Sequence, residues 1–236
     1  MSEPALRNAG TPSIKDVARR VTAGLTSERE RAVALHDHVR DTVAFGFNSH
    51  FDAGPPEYVL SRGVGHCNPK SQLMTALFRA AGFDAYQHFV AIPNTILRGT
   101  LPASRSWLLP AVLCHSYVDV LVDGRWCAID SFIVDTPLLN AAKAKLAAEG
   151  VPLGYGIRVD STNEWDGRGD AFSQFSRELM LDDHGRIDDL EAYFGSPQYR
   201  HKLIGVRFNT AFKLMGDLGV GPINAHLDRL RRGEAN

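Results

Sequence analysis

Cys67 is the residue of this sequence best placed for nucleophilic chemistry. It follows Gly63 and Gly65 and precedes an apolar run, in the stretch RGVGHCNPKSQLMTALFRAAGF. Pro69 is typical of the first turn of a helix, so the pattern predicts that Cys67 lies at or just before a helix N-terminus. The unpaired N–H groups there stabilise negative charge, and we expect them to favour a thiolate and to hold a developing oxyanion.

A base and an orienting carboxylate for this thiol are predicted on a β-hairpin. Two strand-like runs, LCHSYVDVLV and RWCAIDSFIV, are joined by Asp123 and Gly124, a pair that strongly favours a tight hairpin turn. If the runs pair across this turn, His115 and Asp130 can share one face of the sheet. A carboxylate on one imidazole nitrogen would fix the tautomer and leave the other nitrogen facing Cys67.

Several histidines and cysteines lie close enough in sequence to suggest a metal site: His66–Cys67, Cys114–His115, Cys127 and His36-x-His38. Zinc ligands usually come in pairs two to four residues apart, whereas adjacent residues rarely bind one ion. We therefore predict no metal, and we expect Cys114 and Cys127 to be core residues. The acidic residues of 182–191 are interpreted as solvated surface rather than as a calcium site. A thiol redox role is disfavoured because no resolving cysteine lies near Cys67.

Capping residues and apolar periodicity predict the elements around these residues. Helices are expected after Ser13, after Ser27, from Pro56 to Leu60, after Cys67 and over 138–149, with two or three more near the C-terminus. The run DAYQHFVAI is expected to be a strand. We predict a single domain over 1–236, with a core at about 13–135 and a helical or loop-rich extension at about 136–236.

Composition narrows the class of function. The 236 residues are 44% hydrophobic and 22% charged, with 26 Lys and Arg against 27 Asp and Glu. This near-neutral balance argues against nucleic acid or an anionic membrane surface as the main partner. Three cysteines do not make a disulfide framework. With no signal peptide evident, we expect a cytoplasmic protein; the oligomeric state is not predicted.

The combination of motifs resembles the transglutaminase-like superfamily, which includes transglutaminases, peptide N-glycanases and bacterial cysteine peptidases or acyltransferases. The resemblance extends over about 57–134, and the matching positions are Gly65, Cys67, Arg79, Gly82, His115, Trp126 and Asp130. It implies an α+β, cysteine-proteinase-like fold, in which a helix carrying the cysteine packs on an antiparallel sheet carrying the histidine and the aspartate. It also implies Cys67 as nucleophile, His115 as general base and acid, and Asp130 as orienter.

The sequence departs from this family in the residues around the thiol. Family transglutaminases commonly use an indole N–H before the cysteine as a second oxyanion donor, but the first tryptophan here is Trp107. Asn48 and His50 are candidates for that role, although His50 is also consistent with a surface position. The long segment 93–110, which contains Trp107, could cover the acyl-binding cleft or simply pack on the core.

These residues predict covalent acyl chemistry without a cofactor. An acyl-thioester at Cys67 would pass to an amine, making the protein an acyltransferase or amide-forming enzyme on a small-molecule or carrier-protein-bound substrate. If water is the acceptor, the protein is an amidase or peptidase. A non-catalytic binding module on the same fold is the alternative from another class.

Overall fold

The computed structural model describes residues 12–101, 109–203 and 206–234. Trp107 lies outside these ranges, and so does the part of the segment 93–110 between residues 102 and 108. Within the described ranges, no helix is both long and apolar enough to cross a membrane.

The first half of the chain is mainly helical. The helices are α1 (Ile14–Val21), α2 (Glu28–Thr42), α3 (Pro56–Arg62) and α4 (Cys67–Ala80). The predicted caps form: the hydroxyls of Ser13 and Ser27 accept backbone N–H groups, and Ser27 with Glu30 makes a full capping box. Between the helices, strands β1 (Ala44–Phe45) and β2 (Val64–Gly65) pair in parallel. The last of these strands ends one residue before the N-cap of α4, which fixes where that helix begins.

A four-stranded antiparallel sheet forms the other half of the core. Its strands are β3 (Ala85–Pro93), β4 (Val112–Val122), β5 (Arg125–Ile129) and β8 (Asp182–Ile187), in the order β5-β4-β3-β8. The hairpin turn at Asp123 and Gly124 has both residues at positive φ, as the sequence predicts. Helix α4 packs on β3 and β4 through fully buried Leu73, Leu77 and Phe78. This arrangement confirms the predicted α+β fold.

The acidic residues of 182–191 are exposed, as expected of solvated surface, but the first of them lie in strand β8 rather than in a helix or loop. Asp182 and Asp183 lie in this edge strand, which pairs with β3. The carboxylate of Asp183 accepts a hydrogen bond from His88 Nε2 at 2.7 Å, and Asp188 pairs with Arg79 at 2.9 Å. The strand was not predicted because aspartate is depleted in strands, so the acidic composition favoured another type of element.

The remaining elements follow the hairpin in the chain. They are α5 (Thr136–Glu149), β6 (Leu153–Gly154), β7 (Ile157–Arg158), α6 (Leu190–Gly195), β9 (Lys202–Leu203), β10 (Val206–Arg207) and α7 (Phe208–Arg231). Helix α7 is broken at Gly216, whose φ of 59° and ψ of −163° are not helical. It packs against α5 and against the short turn Phe51–Ala53, which lies between α2 and α3.

Candidate active site

Cys67 is the first residue of α4, as the sequence predicts. His66 is the N-cap residue, but its side chain does not cap the helix, so the amides of the first turn receive no side-chain acceptor from it. The Cys67 side chain is half-buried, whereas Cys114 and Cys127 are buried. Of the three thiols, Cys67 is therefore the one that a reactant can reach.

His115 and Asp130 meet on one face of the hairpin. Val118 of β4 pairs with Ile129 of β5, so Asp130 follows the last paired residue of its strand. His115 Nε2 lies 3.0 Å from Asp130 Oδ2, and both side chains are nearly inaccessible to solvent. Because Asp130 occupies Nε2, the free nitrogen of the imidazole is Nδ1, and this is the arrangement needed for a base with a fixed tautomer.

The Asp130 carboxylate is itself held by a loop from the second half of the chain. Its Oδ1 accepts the N–H of Ser173 at 2.5 Å, and its Oδ2 accepts the N–H of Phe175 at 2.7 Å. Gln174 N–H adds a longer hydrogen bond at 3.2 Å, and the Ser173 hydroxyl donates to the same carboxylate. Among the described residues, no lysine or arginine pairs with this carboxylate, so its charge is directed at His115.

A large cavity opens onto Cys67 and His115. Its volume is about 650 Å³, and its wall is almost entirely apolar. The apolar wall includes Phe47, Phe51, Ile92, Ile96, Phe212 and Ile223. Met215 and Leu218 of α7 also line it and are 49% and 92% exposed, so the cavity reaches the surface at this helix. A cavity of this size and lining is suited to a small apolar ligand.

The environment of Cys67 does not favour the thiolate that the sequence led us to expect. Burial raises the pKa of the Cys67 thiol, and the negative charge of Asp52 raises it further. The backbone amides of Ser116 and Asn68 oppose this rise but do not outweigh it. At neutral pH the resting group is thus a thiol, and a base must remove its proton during attack rather than before it.

Asp52 is the centre of a buried polar cluster that includes both chain neighbours of Cys67, His66 and Asn68. Its Oδ1 accepts from His66 Nε2 at 2.7 Å and from Asn68 Nδ2 at 2.8 Å. Its Oδ2 accepts from Tyr199 Oη at 2.6 Å and from His201 Nδ1 at 2.7 Å. Burial alone would raise the pKa of Asp52, but His201 and His66 hold it far below its usual range. The carboxylate is therefore ionised inside the protein.

The predicted second oxyanion donors do not reach the cavity. The Asn48 side-chain amide donates to the Val64 carbonyl at 3.2 Å, and its Oδ1 accepts the N–H of His50. The His50 ring packs on Tyr58 with ring centroids 4.0 Å apart. Neither residue lines the cavity that contains Cys67. Their hydrogen bonds shape the 47–50 turn instead, and the structure does not describe Trp107.

Several histidines and cysteines were considered in the sequence as possible metal ligands. Within 12–101, 109–203 and 206–234, no group of three or more His, Cys, Asp or Glu side chains has the geometry of a metal site. His36 is buried and bonded to Ser131 and Asp37. Cys114 and Cys127 are 1% exposed, which confirms that they are core residues.

Sequence reasoning missed the cluster around Asp52 and the loop around Asp130. Asp52 meets residues 14 and 149 positions away, and Asp130 meets amides 43 to 45 positions away. No local spacing indicates such contacts. The adjacent pair His66–Cys67 was the only available signal, and it was interpreted solely as a possible metal site.

The chain shows similarity to known proteins over part of its length. Residues 15–131 match the transglutaminase-like superfamily. Comparison of the sequence with curated proteins gives no match. Among solved structures, a proposed protease of Parabacteroides distasonis ATCC 8503 is 19% identical with a TM-score of 0.34, over 49% of this chain and 22% of that one. A proposed cysteine protease of Cytophaga hutchinsonii is 15% identical with a TM-score of 0.38, over 49% of this chain and 35% of that one.

The chain thus spans about a fifth and about a third of those two proteins. The matched residues 15–131 contain the cysteine helix and both strands of the hairpin, and they end immediately after Asp130. Through this region, just under half of its length, the chain matches the transglutaminase-like superfamily.

Proposed function

We propose that this protein is a cysteine acyltransferase that carries an apolar acyl group as a thioester on Cys67 and passes it to an amine. The observation that supports this most is the shared cavity: Cys67 and His115 line the same apolar space of about 650 Å³. The match of residues 15–131 to the transglutaminase-like superfamily supports a cysteine enzyme. The apolar wall of the cavity supports an apolar acyl group.

The first half-reaction uses the three predicted catalytic residues. The Cys67 thiol transfers its proton to His115 Nδ1 as its sulfur attacks the donor carbonyl, while Asp130 stabilises the imidazolium through Nε2. The backbone N–H of Cys67, at the start of α4, donates to the developing oxyanion. Collapse of the intermediate expels the leaving group, which takes the proton from His115, and leaves the acyl group on sulfur.

The cavity wall favours an apolar acyl chain over a polypeptide. A polypeptide brings backbone amides that need hydrogen-bonding partners, and burying them without such partners is costly. The wall offers few polar groups beyond those of the candidate site itself. An aliphatic or aromatic acyl chain has no such requirement and is stabilised by burial. A small-molecule thioester or a carrier-protein-bound one would present this chain at the exposed side of α7, near Met215 and Leu218.

The experiment that tests this proposal measures thiol release from N-acetylcysteamine thioesters of two, eight and twelve carbons, with and without an added primary amine. We expect faster release with the longer chains, and amide as the main product when the amine is present. Cleavage of peptides without any amide transfer would contradict the proposal and favour the peptidase alternative. Absence of any acyl chemistry would favour the binding module.

The chain-length preference can be tested by filling the cavity. Ala211 lines it from α7, and Ala211→Trp places an indole in the space that we assign to the acyl chain. We expect acylation by the twelve-carbon donor to fall by about tenfold or more, with little change for the two-carbon donor. Ala144→Trp is the matched control because Ala144 lies on α5 and does not line the cavity. An equal loss with both donors would show that Ala211 does not border the acyl site.

A further inference from the structure

Asn68 contacts the Cys67 sulfur from the side of the protein interior. Its Oδ1 accepts a hydrogen bond from Cys67 Sγ at 3.5 Å. Asn68 is 1% exposed and does not line the cavity. Among the described residues, no hydrogen bond joins Cys67 Sγ to His115, whose imidazole is bonded to Asp130. In this resting structure the thiol proton is therefore held by Asn68 rather than by the proposed base.

The orientation of the Asn68 amide is determined by its other two contacts. Its Nδ2 lies 2.8 Å from Asp52 Oδ1 and 3.0 Å from the carbonyl oxygen of Cys114. Asp52 is ionised, so both of these partners can only accept hydrogen bonds. The two N–H groups of the amide must face them, which leaves Oδ1 as the atom that faces the sulfur. Since Oδ1 has no hydrogen, the Cys67 thiol is the donor in this contact.

Asp52 fixes this orientation because its carboxylate is held on both sides. Its Oδ2 accepts from Tyr199 Oη at 2.6 Å and from His201 Nδ1 at 2.7 Å, and the Asp52 side chain is inaccessible to solvent. Turning the Asn68 amide over would place its Oδ1 against Asp52 Oδ1, so that two buried acceptors met without a hydrogen between them. The Asn68 oxygen is therefore kept next to the sulfur.

The other groups around the thiol also favour its protonated form. Burial raises the pKa of the Cys67 thiol, and the charge of Asp52 raises it further, with a smaller contribution from Asp130. The backbone amides of Ser116 and Asn68 oppose this rise. An acceptor that binds the S–H proton stabilises the neutral thiol and has no hydrogen to offer a thiolate. The side chain of Asn68 thus acts against its own backbone amide.

We propose that Asn68 is a positioning residue that holds the Cys67 proton in the resting enzyme, in competition with His115. Attack then requires the S–H group to turn from Asn68 Oδ1 towards His115 Nδ1. The S–H bond breaks, its electron pair stays on sulfur, and the proton moves to the imidazole. Until then, the thiol is protected from electrophiles. This inference rests on the proposed function, in which His115 is the base.

The test compares alkylation of Cys67 by iodoacetamide at pH 7 in the wild type and in Asn68→Leu, read by peptide mass spectrometry. Leucine is close to asparagine in size, so it removes Oδ1 without opening space for water. We expect alkylation about three- to tenfold faster in Asn68→Leu, the range that corresponds to the loss of one neutral hydrogen bond. Asn163→Leu is the matched control, because Asn163 is also buried, donates to the Val134 carbonyl and does not line the cavity. It should leave the alkylation rate of Cys67 unchanged.

The infrared S–H stretching band of Cys67 measures the hydrogen bond directly and needs no substitution at residue 68. The difference spectrum between the wild type and Cys67→Ser isolates this band from those of Cys114 and Cys127. A hydrogen bond weakens the S–H bond, so the band should lie at a lower wavenumber than that of an alkyl thiol dissolved in an alkane. In Asn68→Leu it should move towards the position of the free thiol. A merely structural role of Asn68 would not produce this shift.

The role of Asn68 and the proposed function can fail separately. Unchanged alkylation in Asn68→Leu would overturn the role of Asn68, as would acceleration confined to Asn68→Ala, where water can enter. A wild-type S–H band at the position of the free thiol would overturn it as well. A wild-type protein that is not acylated on Cys67 by a twelve-carbon thioester would instead contradict the proposed function, whereas the infrared band would still decide whether Asn68 holds the proton.

Discussion

Asp130→Asn is expected to slow acylation of Cys67 by about 10³- to 10⁴-fold. The carboxylate accepts the Nε2 proton of His115 at 3.0 Å and thereby leaves Nδ1 unprotonated. An asparagine that turns its amide N–H groups towards the ring would place the imidazole proton on Nδ1 instead. That proton would point away from the introduced amide and block removal of the Cys67 proton. Because burial raises the pKa of the Cys67 thiol, we expect the attack to depend on this base.

The measurement is the release of thiol from a twelve-carbon thioester in a single turnover, with the enzyme in excess over the thioester. Asp119→Asn is the matched control: Asp119 also holds a histidine on the sheet, His88 at 3.0 Å, but it does not line the cavity. Circular dichroism and thermal unfolding would show whether the fold is kept. Losses of similar size in Asp119→Asn and Asp130→Asn would contradict a specific role for Asp130.

Asp52→Asn is expected to lower the free energy of unfolding by about 3–5 kcal/mol. Asp52 accepts hydrogen bonds from four side chains, those of His66, Asn68, Tyr199 and His201. An asparagine has one acceptor oxygen, so its amide N–H groups would face donors that it cannot satisfy. Urea unfolding at pH 7 measures the loss. A loss below about 1 kcal/mol would show that the cluster does not depend on the charge of Asp52.

The contribution of Asp52 to the free energy of unfolding depends on pH. The pKa of Asp52 is lower in the folded protein than in the unfolded chain, because His201 and His66 outweigh the opposing effect of burial. The stabilisation is therefore fully present above the unfolded pKa of about 3.9, and it is lost as the pH falls below that value. Below about pH 4, the difference in unfolding free energy between the wild type and Asp52→Asn should shrink towards about pH 3. A difference that grows over this interval would contradict this assignment.

The local part of the site was predictable from the sequence because short-range rules determine it. The glycine turn, Pro69 and the apolar repeat predict that α4 starts at Cys67. The Asp123–Gly124 turn sets the hairpin register, and the period of two along the strands places His115 and Asp130 on one face. These features depend on neighbours in the chain, and all of them are found in the structure.

The rest of the site depends on distant contacts and could not be predicted in this way. The amides of 173–175 bind Asp130 from a loop with no distinguishing composition, and α7 forms the cavity wall from near the end of the chain. The Cys67 environment was also misjudged, because the helix N-terminus is a local feature whereas Asp52 and the apolar wall are brought in by folding. The second half of the chain thus forms part of the candidate site.

The central claim is that Cys67 is the nucleophile and that His115 activates it. The most direct measurement is peptide mass spectrometry of all three cysteines after brief incubation with a twelve-carbon thioester, in the wild type, Cys67→Ser and His115→Ala. The account predicts an acyl group on Cys67 of the wild type alone, with Cys114 and Cys127 unmodified in every protein. An unmodified Cys67 in the wild type, or equal acylation of Cys67 in His115→Ala, would contradict it.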